Sequence, residues 1–407
     1  MSSTLSVTIH DRLEDVPQDA WDTLLGRRSV TLSRDFWRVV ESSGLNDFTY
    51  RYLVFRDAAG QPIAATVAYS ITTDIAIFAP RALSRALSLV RKVWPRFLKW
   101  NMLECGTPIT INTPPYLLAP GMDDKALVPV LASSLRGLAR RLRASIIVVR
   151  DFEPEGFRLE ALFRAGGYHW VDSLPNTYLD VRWTSTTQYH AAMRSYYRSK
   201  LHKHLQRNVK AGVRYERIAQ FEHLAETLRA QWLVVHENAS EYQREVLTAE
   251  FYRRMSRDLQ GQAEVLLFYR DDRLEAHALL LRDRDMLRWL YVGRNLAVND
   301  SLYIFVAHAV VETAIAMGAS RVEMGLTTYP IKQDLGAEVV PIKLAVRATS
   351  ALINPFVGLG YALLNSVPRP SPRSVFKSAT AAPRQPARPG PRGGEKTKGG
   401  PHNRDSA

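Results

Sequence analysis

One stretch limits the architecture more than any other. From Leu287 to Val340 the chain reads LRWLYVGRNLAVNDSLYIFVAHAVVETAIAMGASRVEMGLTTYPIKQDLGAEVV. The order is strand, polar loop, helix and strand, followed by Tyr329, Lys332 and Gly336 in Tyr-x-x-Lys-x-x-x-Gly spacing. The helix is the clearest part. Asp300 and Ser301 offer an N-cap, Ile304, Ala307, His308, Val311, Ala314 and Ile315 recur at three-four spacing, and Gly318 stops it. A loop feeding a helix start leaves backbone N–H groups unpaired, which favours an anion such as a phosphate there.

The same order occurs earlier. Leu117-Leu-Ala-Pro-Gly121 leads into a helical stretch at 124–143 and an apolar strand at 145–149. The hairpin YLVFRDAAGQPIAATVAYSI likewise matches VLLFYRDDRLEAHALLLRDR in pattern and turn placement. The expected fold class is therefore α/β, two tandem copies of one domain, each a mixed central sheet flanked by helices. The expected boundaries are 1–183, carrying a basic amphipathic insertion at 81–105, and 184–348, followed by an apolar extension at 349–367. A disordered basic tail is expected over 368–407, where Arg, Lys, Pro and Gly dominate.

Composition sets the limits on partners. A 46% apolar and 10% aromatic content suits a globular enzyme. The net charge of +14 favours anionic partners: CoA-type phosphates, tRNA or an acidic membrane surface. Eight basic residues and no acid fall between Arg194 and Lys210, histidines included, on a helix expected at 190–212 that either connects the copies or contacts phosphates. Cys105 is the only cysteine, so neither a disulfide within the chain nor a multi-cysteine metal site is expected; it reads as a small buried residue. The N-terminus has no basic region followed by an apolar core, and no window reaches the roughly 18 apolar residues of a spanning helix. The expectation is a cytoplasmic protein, peripheral to the inner face of a membrane if the 81–100 segment or the broken apolar stretch at 350–367 touches one.

Two α/β repeats, the inter-repeat helix RSKLHKHLQRNVKAGV and the closing TTYPIKQDLGAEVVP carry a resemblance. Over about residues 5–347 the chain resembles the GNAT-superfamily tandem acyltransferases of the Fem-like and BioF2-like branch. The resemblance implies an N-acyltransferase with acyl-CoA as co-substrate, no metal, and a small-molecule amine acceptor in cell-envelope, polysaccharide or lipid biosynthesis. An aminoacyl-tRNA donor acting on a cell-wall precursor is the alternative, the one reading that brings in nucleic acid; a non-catalytic envelope-assembly scaffold is another. The chain departs from single-domain relatives at Arg294-Asn-Leu-Ala-Val-Asn-Asp300, which lacks the glycine pair of their pyrophosphate loop.

Amide-forming acyl transfer needs a proton acceptor for the amine and stabilisation of a tetrahedral oxyanion. Lys332 is expected to stabilise charge on the donor carbonyl or phosphate, as the resemblance implies, with Tyr329 orienting substrate or acting as acid. His277, in a hairpin strand, and Glu237 are candidate bases. Phosphate binding is expected of Arg294, Asn299, Asp300 and Ser301. Tyr291, His236, Arg198 and Lys203 are expected along the substrate path, with Lys200 beside them, and His308 is read as structural. The first copy has Asp151-Phe-Glu-Pro after its last strand and no Tyr-x-x-Lys-x-x-x-Gly, so activity is expected in the second copy alone.

Overall fold

The computed structural model describes residues 5–26, 29–74, 90, 99–239, 245–298, 300–364 and 367–377. Most of the expected insertion and the tail beyond 377 lie outside these residues, as does Asn299. The first half contains β1 (Ser6–His10), α1 (Gln18–Leu25), α2 (Arg34–Ser42), β2 (Thr49–Arg56), β3 (Pro62–Asp74), β4 (Lys99–Cys105), β5 (Leu117–Leu118), α3 (Asp124–Arg141), β6 (Ile146–Phe152), α4 (Glu160–Ala165) and β7 (His169–Asp180). Two helices follow, α5 (Thr186–Ala192) and α6 (Ser195–Lys210). The second half contains β8 (Arg214–Ile218), α7 (Ala225–Glu237), α8 (Ala249–Asp258), β9 (Ala263–Arg270), β10 (Arg273–Asp283), β11 (Met286–Arg294), α9 (Ser301–Ala316), β12 (Arg321–Glu323), α10 (Tyr329–Asp334), β13 (Glu338–Ala348) and α11 (Asn354–Leu364).

The strands form one sheet in the order β1-β2-β3-β4-β6-β13-β7-β12-β11-β10-β9-β8, with β5 paired to β3. The expected α/β repeat is present in this order, because β4–β6 and β11–β12 are parallel pairs in equivalent places. The repeats also exchange their last strands. β13 from the second half lies between β6 and β7, and β7 from the first lies between β13 and β12. A cut at 183/184 therefore does not separate two self-contained sheets.

Burial follows from the side chains each element offers. β6 (IIVVRDF) is buried throughout, as expected for a central strand covered on both faces. Helix α9 is apolar around most of its circumference, and it is enclosed by α6 on one side and β9–β12 on the other. One apolar core joins Trp21, Trp37 and Tyr52 of the first half to Phe251, Tyr252 and Tyr291 of the second. The extension forms α11, whose Val357 and Tyr361 turn inward while Phe356 and Leu359 remain exposed. No helix among the described residues is long and apolar enough to cross a membrane.

The tail expectation needs one correction. Residues 367–377 are ordered across α10: Gln333 Nε2 donates to Ser371 O (2.8 Å), and Arg194 N donates to Val375 O (2.8 Å). Phe376 seats between Trp183 and Tyr189 and closes over Gly336, where a Cβ would come within 2.3 Å of its ring. The Val375–Phe376 pair is the anchor; the surrounding Pro and Arg residues hide it in an averaged composition.

Candidate functional site

β11 and β12 pair only over Met286–Arg288 and Arg321–Glu323. Beyond that point β11 continues through Trp289–Arg294 while β12 ends at Glu323 and Met324–Gly325 line the opening. A bulge at Leu290 in the β10–β11 register marks the divergence. The gap is a cavity of about 650 Å³. Its walls are Trp289, Tyr291 and Arg294 from β11, Trp232 and His236 from α7, Glu245, and the segment Gly325–Lys332.

The equivalent gap in the first half is filled. β4 and β6 pair over Met102–Cys105 and Ile146–Val149, and the next residue of β6, Arg150, turns into the opening. Its guanidinium donates to Thr107 O (2.8 Å) and Tyr69 OH (3.2 Å), and Glu104 lies 3.7 Å away. A Cβ on Gly106 would meet Arg150 Cβ at 3.3 Å, so the two strands also approach closely. Burial raises the proton affinity of Asp151 to about 6, with Arg150 opposing. One cleft is plugged by a buried ion cluster; the other is open.

Several of the expected residues meet at the open cleft. Tyr329 and Lys332 both line it and both are buried. The Tyr329 hydroxyl donates to Pro175 O (3.0 Å), which holds α10 against β7. Lys332 Nζ donates to Gly325 O (3.0 Å) and to Leu326 O. Between these carbonyls and α10, Thr327 and Thr328 adopt φ of 58° and 50°. Two consecutive β-branched residues in the left-handed region are strained, and strain of this kind collects at functional sites. Tyr291 lines the cleft as expected and donates to Glu245 Oε1 (2.7 Å); burial and Glu245 hold its hydroxyl protonated well above the usual range. His236 stacks on Trp232 at 4.5 Å, and burial lowers its proton affinity.

The helix start already carries an anion of the chain's own. Asp300 Oδ1 accepts from Leu302 N (3.0 Å) and Tyr303 N (3.1 Å), so a carboxylate already satisfies these amides. Arg294 donates to the same oxygen (2.8 Å) and to Val298 O, which commits it to folding the loop. Ser301 faces α6, where its Oγ meets His204 Nδ1 (2.9 Å) and its carbonyl accepts from Asn208 (2.8 Å). The local signal for a cap was correct; the chemistry of the capping residue reverses its consequence.

Other expected residues stand away from the cleft. His277 is wholly buried, donating from Nδ1 to Gln231 Oε1 (2.9 Å) and accepting from Tyr252 OH (3.1 Å). Burial drives its pKa down to about 3, which holds it neutral in the core, and it does not line the cavity. Glu237 is exposed at the end of α7 and does not line the cavity. Arg198 and Lys203 lie on α6 and do not line it either; Arg198 donates to Met193 O (3.3 Å). His308, read as structural, is buried with its Nε2 2.8 Å from His190 Nε2.

The His277 arrangement gives a pH prediction. Its folded pKa lies below the unfolded value of about 6.5, so the unfolded chain binds the proton more tightly. The stabilisation is complete above about pH 6.5 and is lost as pH falls toward 3. The acid-side loss of the urea midpoint should be shallower in His277→Gln than in the wild type. Identical slopes in the two proteins would show that His277 does not contribute.

Sequence reasoning missed Trp232 and Glu245. Glu245 is 2% exposed; Oε1 accepts from Tyr291 OH (2.7 Å) and from the backbone N–H of Thr110 (2.7 Å), while Oε2 has no hydrogen-bond partner among the described residues. No motif marks this residue, because Thr110 lies 135 positions away in the other half.

The protein named 8-amino-7-oxononanoate synthase 2 from two Mycobacterium tuberculosis strains, CDC 1551 / Oshkosh and ATCC 25618 / H37Rv, is 28% identical over 349 residues, 84% of this chain. The chain spans 45% of the length of those curated relatives. The tandem GNAT protein from the clavulanic acid biosynthesis pathway superposes with a TM-score of 0.51 at 13% identity, covering 85% of this chain and 99% of that one. FemX superposes with a TM-score of 0.51 at 11% identity, covering 83% and 96%. These likenesses establish the tandem GNAT fold. The FemAB-like family model, described as peptidoglycan biosynthesis/recognition, matches residues 12–328, and the chain belongs to that family.

Proposed function

We propose that the chain is a transferase that moves an acyl or aminoacyl group onto an amine acceptor used in the cell envelope, in the cleft of its second half. The observation that carries this reading is the asymmetry of the two clefts: Arg150 plugs the first, and the second is an aromatic-walled cavity of about 650 Å³. Such a space suits a reaction driven by positioning and electrostatics, in which the amine attacks a thioester or ester carbonyl. Tyr329 and Lys332 set the wall on which that carbonyl would rest. Acyl-CoA is the first donor considered. The capped helix start favours aminoacyl-tRNA as a second, because the phosphate grip expected there for CoA is occupied by Asp300.

A thermal-shift screen separates the donors. Acetyl-CoA and longer acyl-CoA esters should raise the Tm if CoA is the donor, and charged tRNA should do so under the second reading. Absence of a shift with both classes would sink the transfer reading.

A further inference from the structure

Glu245 is the buried acid of the cleft that the fold itself does not fully use. Its Oε1 is held by Tyr291 and Thr110, whereas Oε2 is shielded from water and has no hydrogen-bond partner among the described residues. A shielded carboxylate oxygen without a donor is costly, and a ligand that supplies a cationic N–H donor relieves the cost. The neighbouring wall is suited to the same ligand. Trp232 stacks on His236 at 4.5 Å and meets Tyr291 edge-on at 6.2 Å, and these rings line the same cavity as the acid. Aromatic faces beside a carboxylate favour an ammonium group over a neutral hydroxyl. The cations on the cavity wall do not compete for this role, because Arg294 and Lys332 donate to backbone carbonyls elsewhere on the wall.

We propose that Glu245 Oε2 is the acceptor subsite, where it binds a primary amine as its ammonium ion and takes the proton that must leave before attack. This rests on the transfer reading above. One proton passes from the ammonium nitrogen to Glu245 Oε2. The freed nitrogen pair forms the C–N bond to the donor carbonyl carbon. The bond from that carbon to the donor sulfur or oxygen breaks, and the leaving atom takes the second nitrogen proton. Glu245 then returns its proton to solvent. The products are an amide, the donor thiol or alcohol, and one proton.

The test compares amine and hydroxyl probes on the wild type and on Glu245→Gln. Gln keeps an oxygen for Tyr291 and Thr110 but removes the charge. Glucosamine and n-butylamine, measured by ligand-observed NMR titration, should bind the wild type about tenfold more tightly than glucose and n-butanol. Glu245→Gln should lose that preference while acetyl-CoA or charged tRNA still shifts its Tm. Wild-type protein that responds equally, or not at all, to amines and hydroxyl probes overturns the subsite, whether or not the variant folds. A preference retained in Glu245→Gln also overturns it. If the amine preference holds in the wild type and vanishes in the variant but no donor shifts the Tm of the wild type, the subsite stands and the transfer reading fails.

Discussion

Replacing Arg288 by alanine is expected to cost about 3–5 kcal/mol of stability. Arg288 is 4% exposed, and its Nε donates to Asp283 Oδ2 (2.8 Å) while Nη1 reaches Glu323 Oε2 and Asn112 O. Burial works against its charge, but Glu323 and Asp283 outweigh that and hold the guanidinium charged. Both carboxylates have further duties. Asp283 accepts from Val30 N (2.9 Å) and Ser29 Oγ (2.5 Å), and Glu323 accepts from Asn176 Nδ2 (2.6 Å) and Asn112 N (3.1 Å). Removing the cation leaves two buried acids facing each other where the halves join. Arg288→Met should fare no better, since it fills the space and leaves both charges unpaired. Arg288→Lys should recover part of the loss, because an ammonium cannot copy the guanidinium fork. Urea unfolding at constant m checks this; a loss below about 1 kcal/mol would mean that the cluster is not a joint between the halves.

Lys332→Ala is expected to lower the transfer rate about 100-fold, comparable to deleting one donor from an oxyanion site, with a smaller change in the acceptor KM. Two effects combine. The ammonium is the positive charge behind the Gly325 and Leu326 carbonyls, and it fixes the loop that passes through the two left-handed threonines. Without it those carbonyls lose their donor and the cavity wall loses its shape. Lys332→Met preserves the aliphatic stem and separates charge from packing. Met should restore some of the Tm lost in the alanine variant but little of the rate. A methionine variant that transfers at the wild-type rate would show that Lys332 shapes the wall without acting electrostatically.

Much of the fold was legible because its signals are local. The three-four spacing before Gly318 and the Asp300 cap locate α9, and the hairpins β2–β3 and β9–β10 fall where their turns predict. The repeat could be read from the order of these units alone. The placement of candidate site residues was legible to a lesser degree: Tyr329, Lys332, Tyr291 and His236 do line one cavity. Arg294 lines it as well, with Nη1 donating to Val298 O and Nη2 to Asp300 Oδ1. His277 illustrates the limit. Alternation placed it correctly on a strand, but only its contacts with Gln231 and Tyr252 tell a core histidine from a base.

The sequence by itself determined the elements, their order and their duplication, because helix caps, turns and strand alternation depend on neighbours a few residues apart. Tertiary structure decided the rest. The exchange of β7 and β13, the Arg150 plug and the hold of Thr110 on Glu245 join residues distant in the chain. Which of two similar strands fills a gap, and which of many polar side chains is left buried without a partner, depends on register and burial across the assembled sheet. Those quantities exist only once the two halves have closed on each other.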